Sequence, residues 1–266
     1  MDARAAVASV PLWYHTMEVA PGVETPGWFD LRPIVERLPW PDVRGKRCLD
    51  VGTYDGFLAF ELERRGAAEI VATDIDSHEG WDWPPRLEER GPAYQAELAG
   101  PEKGRGFLVA KDLRRSSVTR VNVSVYDLDP QELGHFDVVV CGSLLLHLRD
   151  PSRALAAIRR VCGGFFLSSE QIDLPLAVLQ RRRPAFRFDG VSELFQWTIP
   201  NPAGHRGMLE AAGFEVERAS RPYSIPFGPA HPPRGRKPGR LATSVARRLL
   251  TRGDGVPHHA VLARVP

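Results

Sequence analysis

Short apolar runs alternate with segments of helical spacing along most of the chain after residue 45. The runs that predict strands cover residues 46–51, 69–73, 121–125, 135–141, 164–168, 214–219 and 260–265. Apolar residues recur at three- and four-residue spacing in the segments that predict helices, which cover residues 57–65, about 103–115, the stretch after Asp150-Pro151, and 203–212. Strands and helices that alternate over short connections indicate an α/β fold, with a mostly parallel sheet covered by helices on both faces.

The two ends of the chain show less periodicity. Residues 1–45 are rich in Pro, Trp and Gly, and they predict an irregular N-terminal extension with a short helix around residues 31–37. Residues 77–106 are interrupted by Trp, Pro and Gly and predict no clear element before the helix near residue 103. We therefore expect an extension or lid over residues 1–45, a core over 46–220, and a basic Pro-rich segment with the final strand of the same domain over 221–266.

Composition narrows the class of protein. A chain of 266 residues with 43% hydrophobic residues and a formal charge of +2 is long enough to bury one α/β domain, and as a whole it is not a polyanion binder. It contains no run of 18 apolar residues and no charged-then-apolar leader, which predicts a cytoplasmic protein without a membrane segment. Three cysteines lack metal-ligand spacing, so we expect no metal site. The sequence carries no signal of the oligomeric state.

A glycine turn follows the first strand of the core. The segment runs Asp50-Val-Gly52-Thr-Tyr-Asp-Gly56, and ligands of open α/β sheets bind beyond such strand ends. A dinucleotide fold would favour G-x-G-x-x-G. The spacing D-x-G-x-x-x-G instead suits an amino-acid-shaped ligand, with an ammonium for Asp50 and a carboxylate for the N–H groups that begin the next helix.

Two further acids follow the next two predicted strands. Asp74 ends the second strand, where a carboxylate accepts both hydroxyls of a ribose, and Asp127 follows the third, where it faces an adenine amino group. Either acid alone is also compatible with a turn or a helix cap. Because the carboxyl ends of parallel strands share one edge of a sheet, we expect Asp50, Asp74 and Asp127 to converge.

These residues resemble a known family. The stretches LDVGTYDG, VATDID and FDVVVCGSLLLHLRDP are similar to the first, second and fourth motifs of class I S-adenosylmethionine (SAM)-dependent methyltransferases, over residues 46–220. The resemblance implies a Rossmann-like, seven-stranded, mostly parallel sheet and SAM as cofactor. The implied cofactor contacts are Asp50, Gly52, Thr53, Gly56, Asp74, Ile75, Asp127, Leu128 and Gly142.

A narrower resemblance points to tRNA. WYHTMEVAPGVETPGWFDLRP, KRCLDVGTYDGFLAFELERRGA, WDWP and FQWTIPNPAGHRGMLEAAGF are similar to the tRNA wobble-uridine 5-oxyacetate methyltransferase-like family. Its best-known members transfer a carboxymethyl group from carboxy-SAM, and a lysine in a longer N-terminal region contacts the extra carboxylate. About 12 residues precede the Trp13 element here, without a counterpart of that region.

We therefore expect in-line methyl transfer to a small-molecule acceptor, most simply O-methylation of a biosynthetic intermediate. The alternative is a tRNA-modifying methyl- or carboxymethyltransferase, favoured by the basic runs 181–183 and 234–240. A third alternative is a SAM-binding module without catalysis. Between Arg221 and Gly253 the chain carries no acid, which is also typical of a solvated Pro-rich connection.

Candidates for the chemistry of transfer lie near the same sheet edge. A positioned base that removes a hydroxyl proton contributes roughly 10²–10⁴-fold, and the candidates are His147, His15 and Glu170. Substrate-binding candidates are His15, Trp197 and Asn201. Each has a structural alternative, namely pocket shaping, lid packing or a helix cap. The other six histidines, His258 and His259 among them, are interpreted as surface or structural residues.

Overall fold

The computed structural model describes residues 2–191, 194–231 and 247–266. Its α-helices are α1 (Ala3–Ala8), α2 (Phe57–Arg64), α3 (Pro85–Glu88), α4 (Gly91–Ala99), α5 (Arg105–Arg114), α6 (Pro130–Leu133), α7 (Pro151–Val161), α8 (Leu174–Leu179) and α9 (Pro202–Ala211). Its strands are β1 (Glu18–Ala20), β2 (Val23–Glu24), β3 (Arg47–Val51), β4 (Glu69–Asp74), β5 (Thr119–Asn122), β6 (Phe136–Gly142), β7 (Cys162–Gln171), β8 (Phe186–Phe188), β9 (Thr198–Pro200), β10 (Glu215–Ala219), β11 (Tyr223–Ile225) and β12 (Val256–Arg264).

One large sheet organises the described residues. Seven strands follow the order β10-β12-β7-β6-β3-β4-β5, and β11 adds an eighth strand by pairing with β12. Strands β3 to β7 pair in parallel, whereas β12 runs antiparallel to its neighbours. The predicted seven-stranded, mostly parallel sheet is confirmed, and β11 is an addition that the sequence pattern did not predict. Because β4 and β6 flank β3 on opposite sides, the chain order reverses there and opens a crevice at the strand ends.

Alternate strand residues enter two apolar cores. Cys48, Val138 and Val140 pack with α2, α5 and the N-terminal segment. Leu49 and Val139 lie in the other core, with α7 and α9. Both faces of the sheet are therefore covered, which explains why its central strands are continuous apolar runs.

The N-terminal extension packs against the first of these cores. The Trp13 indole is buried and donates to the Val7 carbonyl at 3.0 Å, and the Thr16 N–H donates to the Phe29 carbonyl at 2.8 Å. The helix expected over residues 31–37 is a single 3₁₀ turn, Val35–Arg37. Leu38 is extended because it precedes Pro39, which disfavours helical backbone in the residue before it.

The third core strand ends earlier than predicted. It was expected over residues 121–125, but β5 ends at Asn122 and a 3₁₀ turn, Val125–Asp127, follows. The Ser124 side chain accepts the Tyr126 N–H at 3.3 Å and begins that turn. Asp127 therefore lies beyond the strand end rather than at it.

The region that the sequence left without clear elements, residues 77–106, contains α3 and α4. Trp83 and Leu87 form a small apolar cluster there with Ala99. Among the helices of the described part of the chain, none has both the length and the apolar character of a membrane span.

Candidate functional site

A cavity of about 710 Å³ opens at the carboxyl ends of the central strands. Ten of its lining residues come from β3, β4, β6 and the segments that directly follow those three strands: Asp50, Gly52, Thr53, Tyr54, Thr73, Asp74, Ile75, Gly142, Ser143 and Leu144. Its position at the reversal of strand order is the ligand position expected of an open α/β sheet. Six of the nine predicted cofactor contacts therefore line one cavity, and the exceptions are Gly56, Asp127 and Leu128.

The glycine turn brings backbone to the cavity. The N–H groups of Gly52 and Thr53 both donate to the Thr73 carbonyl, at 2.9 and 3.0 Å, which ties the turn to β4. Gly52 has φ +72°, and a Cβ there would stand 2.9 Å from Leu144 Cδ2. Glycine is required at this position, because any other residue would strain the left-handed backbone and its Cβ would clash with Leu144.

Gly56 has a structural role instead. It does not line the cavity; it has φ +96° at the start of α2, and a Cβ there would meet the rings of Phe60 and Phe107 at 2.5 and 2.8 Å. Its conformation and close packing allow α2 to begin directly after the turn. The predicted ligand contact at Gly56 is therefore replaced by a packing role.

Asp50 is a buried carboxylate at the cavity wall. Its side chain is 2% exposed and accepts the Thr53 hydroxyl at 2.7 Å. Burial raises the pKa of Asp50 to about 6, against the lowering effects of Thr53 and of the nearby His15. A positive group bound beside Asp50 would favour its charged form.

Asp74 is held rigidly at the end of β4. Its two carboxylate oxygens accept the backbone N–H groups of Tyr54 and Ile75, at 2.7 and 2.8 Å. Each oxygen keeps a second lone pair for a ligand hydroxyl. Burial raises the pKa of Asp74, and the Lys103 ammonium acts in the opposite direction.

Lys103 and Asp55 lie next to residues that line the cavity, and the sequence analysis does not name either of them. The Lys103 ammonium lies 4.0 Å from the Tyr54 ring centroid and 3.8 Å from that of Trp81, and burial lowers its pKa to about 8. Asp55 is buried and accepts the N–H groups of Tyr14 and His15 at 2.8 and 2.9 Å. Its place inside the glycine turn was the available signal, but the motif treats that position as a spacer.

His15 and Asp55 form an imidazole–carboxylate pair beside the turn. His15 lines the cavity, and its Nδ1 contacts the second Asp55 oxygen. A carboxylate at Nδ1 fixes a proton on that nitrogen and fixes the orientation of the ring. The His15 ring also packs on Phe57, the first residue of α2, with ring centroids 5.5 Å apart.

His147 also lines the cavity, at the end of an aromatic stack. Its ring stacks on Phe195 at 4.8 Å, and Phe195 stacks on Trp81 at 4.9 Å. The His147 Nδ1 donates to the Phe195 carbonyl, and burial lowers the pKa of His147 to about 4. The imidazole is therefore neutral near pH 7, with its lone pair on Nε2.

Glu170 lies inside β7, away from the lining of the cavity. It is 2% exposed and accepts the N–H groups of Leu144 and Leu145, both at 3.3 Å. Burial raises the pKa of Glu170 to about 8. The structure therefore contradicts direct contact between Glu170 and a substrate in this cavity; its carboxyl orients the segment after β6.

Asp127 and Leu128 do not line the cavity either. The Asp127 side chain is 66% exposed and pairs with Arg153 at 3.4 Å. Leu128 is fully buried in the core that contains α7. Because β5 ends early, the cavity is lined instead by Val123, Ser124, Val125 and Tyr126.

The two predicted substrate contacts from the later part of the chain are structural. The Trp197 Nε1 donates to the Asp82 carbonyl at 2.6 Å. Asn201 is fully buried and caps α9 through the Gly204 N–H at 2.7 Å. Neither residue lines the cavity, so their predicted role is corrected to packing and capping.

Solved structures share this architecture. The putative methyltransferase in complex with the Trm112 methyltransferase activator of Haloferax volcanii gives a TM-score of 0.55 at 16% identity, over 88% of this chain and 87% of that one. A putative S-adenosylmethionine dependent methyltransferase from Listeria monocytogenes gives 0.51 at 13% identity, over 87% and 95%. The fold is that of the Rossmann-like methyltransferases.

The sequence comparisons carry the assignment further. A family model described as a methyltransferase domain matches residues 30–219, and the chain belongs to this methyltransferase domain family. The ubiquinone biosynthesis O-methyltransferase of Hahella chejuensis is 31% identical over 173 residues, which are 60% of each chain. That of Marinobacter nauticus is 33% identical over 147 residues, which are 53% of this chain and 51% of the relative. The chain thus spans between about half and 60% of the length of these curated relatives.

Proposed function

We propose that this protein is a SAM-dependent methyltransferase that methylates a hydroxyl group of a small aromatic molecule. The observation that carries the proposal is the convergence of Asp50, the Gly52 turn and Asp74 on one cavity at the reversal of strand order. Membership of the methyltransferase domain family supports the reaction class.

The residues of the cavity fit the proposed cofactor. Asp50 is a buried carboxylate whose raised pKa suits an ammonium partner, and the first N–H groups of α2 suit a carboxylate. Asp74 offers two oriented oxygens to a ribose diol, and Ile75 with Val123 offers apolar surface to an adenine. SAM supplies an electrophilic sulfonium methyl group.

We assign His15 to the methionine end of the cofactor. Its ring lies on Phe57 at the start of α2 and beside the Asp50 carboxylate. Asp55 keeps the Nδ1 proton in place, so His15 presents one fixed nitrogen to the cavity. In this role, the N-terminal extension closes over the cofactor and excludes water.

The cavity lining outside the proposed cofactor contacts supports a flat aromatic ring as the acceptor. The cavity is lined there by Trp28, Phe29, Leu38 and Ile225, together with Phe195 of the aromatic stack. Aromatic side chains favour stacked or edge-on contact with another ring. The named activity of the curated relatives, O-methylation, supports a hydroxyl as the acceptor group.

The tRNA alternative receives less support. Residues 181–183 form an exposed basic turn, but the run 234–240 lies outside the described residues. The resemblance to the tRNA wobble-uridine family is not tested by the comparisons, and it stays a prediction, as does the division of the chain at residues 45 and 220.

The proposal is tested by calorimetric titration with SAM and by transfer of a labelled methyl group to catechol and 3,4-dihydroxybenzoate. We expect SAM binding and a methoxy product identified by mass spectrometry, with no transfer to tRNA. Protein that binds SAM but labels tRNA and no hydroxylated ring would overturn the acceptor class. Absence of SAM binding would overturn the enzyme assignment itself.

The raised pKa of Asp50 predicts a pH dependence of SAM affinity. Because an ammonium binds the ionised carboxylate, protein below pH 6 must first release a proton from Asp50. The pKa of about 6 therefore predicts an affinity that rises about tenfold from pH 5 to pH 7. Calorimetry across this range checks the slope. Asp50→Asn should bind more weakly and with little pH dependence; a variant that keeps the full slope contradicts the assignment.

A further inference from the structure

A serine and a histidine that the proposed function does not use meet at the cavity wall. Ser143 directly follows β6, and His258 lies near the start of β12; both line the cavity. The Ser143 Oγ lies 2.9 Å from His258 Nε2. Two elements distant in sequence thus place a hydroxyl against an imidazole, beside the point where the strand order reverses.

The tautomer of His258 is set by its other nitrogen. His258 Nδ1 lies 2.9 Å from the Val256 carbonyl, and a carbonyl only accepts, so Nδ1 carries the proton. Nε2 is then a bare acceptor, and the Ser143 hydroxyl donates to it. The serine oxygen keeps its own lone pairs for a further donor, such as a hydroxyl in the cavity.

Ser143 is held in an uncommon conformation. Its φ is +53°, a left-handed value that is rare for residues other than glycine and asparagine, and its N–H donates to the Ser169 carbonyl at 2.8 Å. Strained residues of this kind concentrate at functional sites. Here the conformation turns the chain at the carboxyl end of β6 while the Ser143 hydroxyl meets β12.

We propose that Ser143 and His258 form the relay that removes the proton of the acceptor hydroxyl during methyl transfer. This inference rests on the proposed function. Ser143 is the catalytic residue, because its oxygen contacts the acceptor. His258 takes the proton through Ser143.

The step balances without a further reactant. The acceptor O–H proton passes to Ser143 Oγ while the Ser143 proton passes to His258 Nε2. The acceptor oxygen forms its bond to the methyl carbon as the carbon–sulfur bond breaks, and that electron pair stays on sulfur. The products are the methyl ether, S-adenosylhomocysteine and protonated His258, which returns its proton through Ser143 to solvent after product release.

The charge of the reaction suits a weak buried base. Burial lowers the pKa of His258 to about 4, so the ring is neutral before the reaction. As the sulfonium loses its positive charge, the imidazole gains one, so the cavity keeps the same net charge. The titratable groups nearby include Tyr223, whose ring stacks on His258 at 6.1 Å, and Glu170 on the neighbouring strand β7. His205 of α9 is a third, because a charge on His258 lowers its pKa.

The adjacent histidine supplies a matched control. His259 is buried to the same 3% exposure as His258, but its Nδ1 lies 3.1 Å from His205 Nδ1 of α9 and it does not line the cavity. His259→Gln thus perturbs the same strand without touching the relay. Ser143→Gly removes the hydroxyl from a backbone conformation that glycine prefers.

The first test compares His258→Gln, Ser143→Gly and His259→Gln in methyl transfer to catechol at saturating SAM. We expect His258→Gln and Ser143→Gly to lower kcat about 10²-fold or more, with SAM affinity unchanged and Ser143→Gly at least as thermally stable as wild type. His259→Gln should keep its kcat. The kcat of His258→Gln should rise with pH as catechol ionises, whereas that of wild type should stay flat. Equal kcat values or parallel pH profiles overturn the relay.

The second test does not depend on turnover. Long-range ¹⁵N–¹H NMR of histidine-labelled protein should show His258 as the Nδ1–H tautomer, and catechol added with S-adenosylhomocysteine should shift its Nε2 resonance in wild type but not in Ser143→Gly. An Nε2 resonance that catechol leaves unmoved overturns the relay. Failure of the proposed function would differ, since wild type would then bind no SAM or methylate no hydroxylated ring.

Discussion

Asp74→Asn is expected to weaken SAM binding by roughly 10²-fold or more. Two hydrogen bonds to a charged carboxylate contribute about 3–6 kcal/mol together, or roughly 10²–10⁴ in affinity. An asparagine keeps one oxygen for a ribose hydroxyl. Its NH₂ group would also face the Tyr54 or Ile75 N–H that the carboxylate now accepts, so the glycine turn loses a support as well. Calorimetric titration with SAM measures the loss.

The control for this prediction is Asp127→Asn. The sequence predicts both acids as ligands at strand ends, but Asp127 is exposed and paired with Arg153 outside the cavity. We expect this variant to bind SAM as wild type does. Equal losses of SAM affinity in the two variants would show that Asp127 also contacts the cofactor, although it lies outside the cavity. An unchanged SAM affinity of Asp74→Asn would show that Asp74 does not contact the cofactor.

Gly52→Val is expected to abolish measurable SAM binding and to destabilise the fold. Left-handed backbone costs a residue with a side chain about 1–2 kcal/mol, and Gly52 has φ +72°. A Cβ at Gly52 would also stand 2.9 Å from Leu144 Cδ2 at the cavity wall, and such overpacking adds about 1–3 kcal/mol. The added side chain lies where the backbone must approach the cofactor. Denaturant unfolding and SAM calorimetry measure the two effects separately.

Gly45→Val separates backbone strain from steric exclusion. Gly45 has φ +67°, but a Cβ there would meet nothing within 4 Å. We expect the free energy of unfolding of this variant to fall only by the cost of the left-handed backbone, and we expect its SAM affinity to stay unchanged. Should Gly52→Val bind SAM normally, the turn would not be the cofactor site, whatever its stability.

Local patterns predicted the part of the site that lies close together in sequence. The turn from Asp50 to Gly56 follows a buried strand, and such strand ends meet along one edge of a parallel sheet. Asp50, Gly52 and Asp74 consequently reach one cavity. The prediction that Asp127 lies at the strand end beside Asp50 and Asp74 was wrong, because the Ser124 side chain begins a turn before the expected strand end. The spacing of apolar residues does not reveal such a hydrogen bond from a side chain to the backbone.

The sequence predicts less well the roles of residues that come from segments distant along the chain. The sequence predicts Asn201 and Trp197 as pocket residues, because a polar or aromatic side chain in an irregular stretch gives the same pattern whether it binds a ligand or its own backbone. Asp55 was passed over as a spacer, although its pairing with His15 joins the extension to the turn.

The amino-acid sequence by itself determined the fold class and the carboxylates of the glycine turn and of β4, because those depend on periodicity and on neighbours along the chain. Tertiary structure alone decided which side chains share the cavity. Ser143 and His258 are 115 positions apart, and only the antiparallel addition of β12 beside β7 brings the imidazole to the end of β6. The register between two strands depends on which face of the whole sheet is buried. A sequence pattern shows which residues are buried, but it does not show which residues they contact.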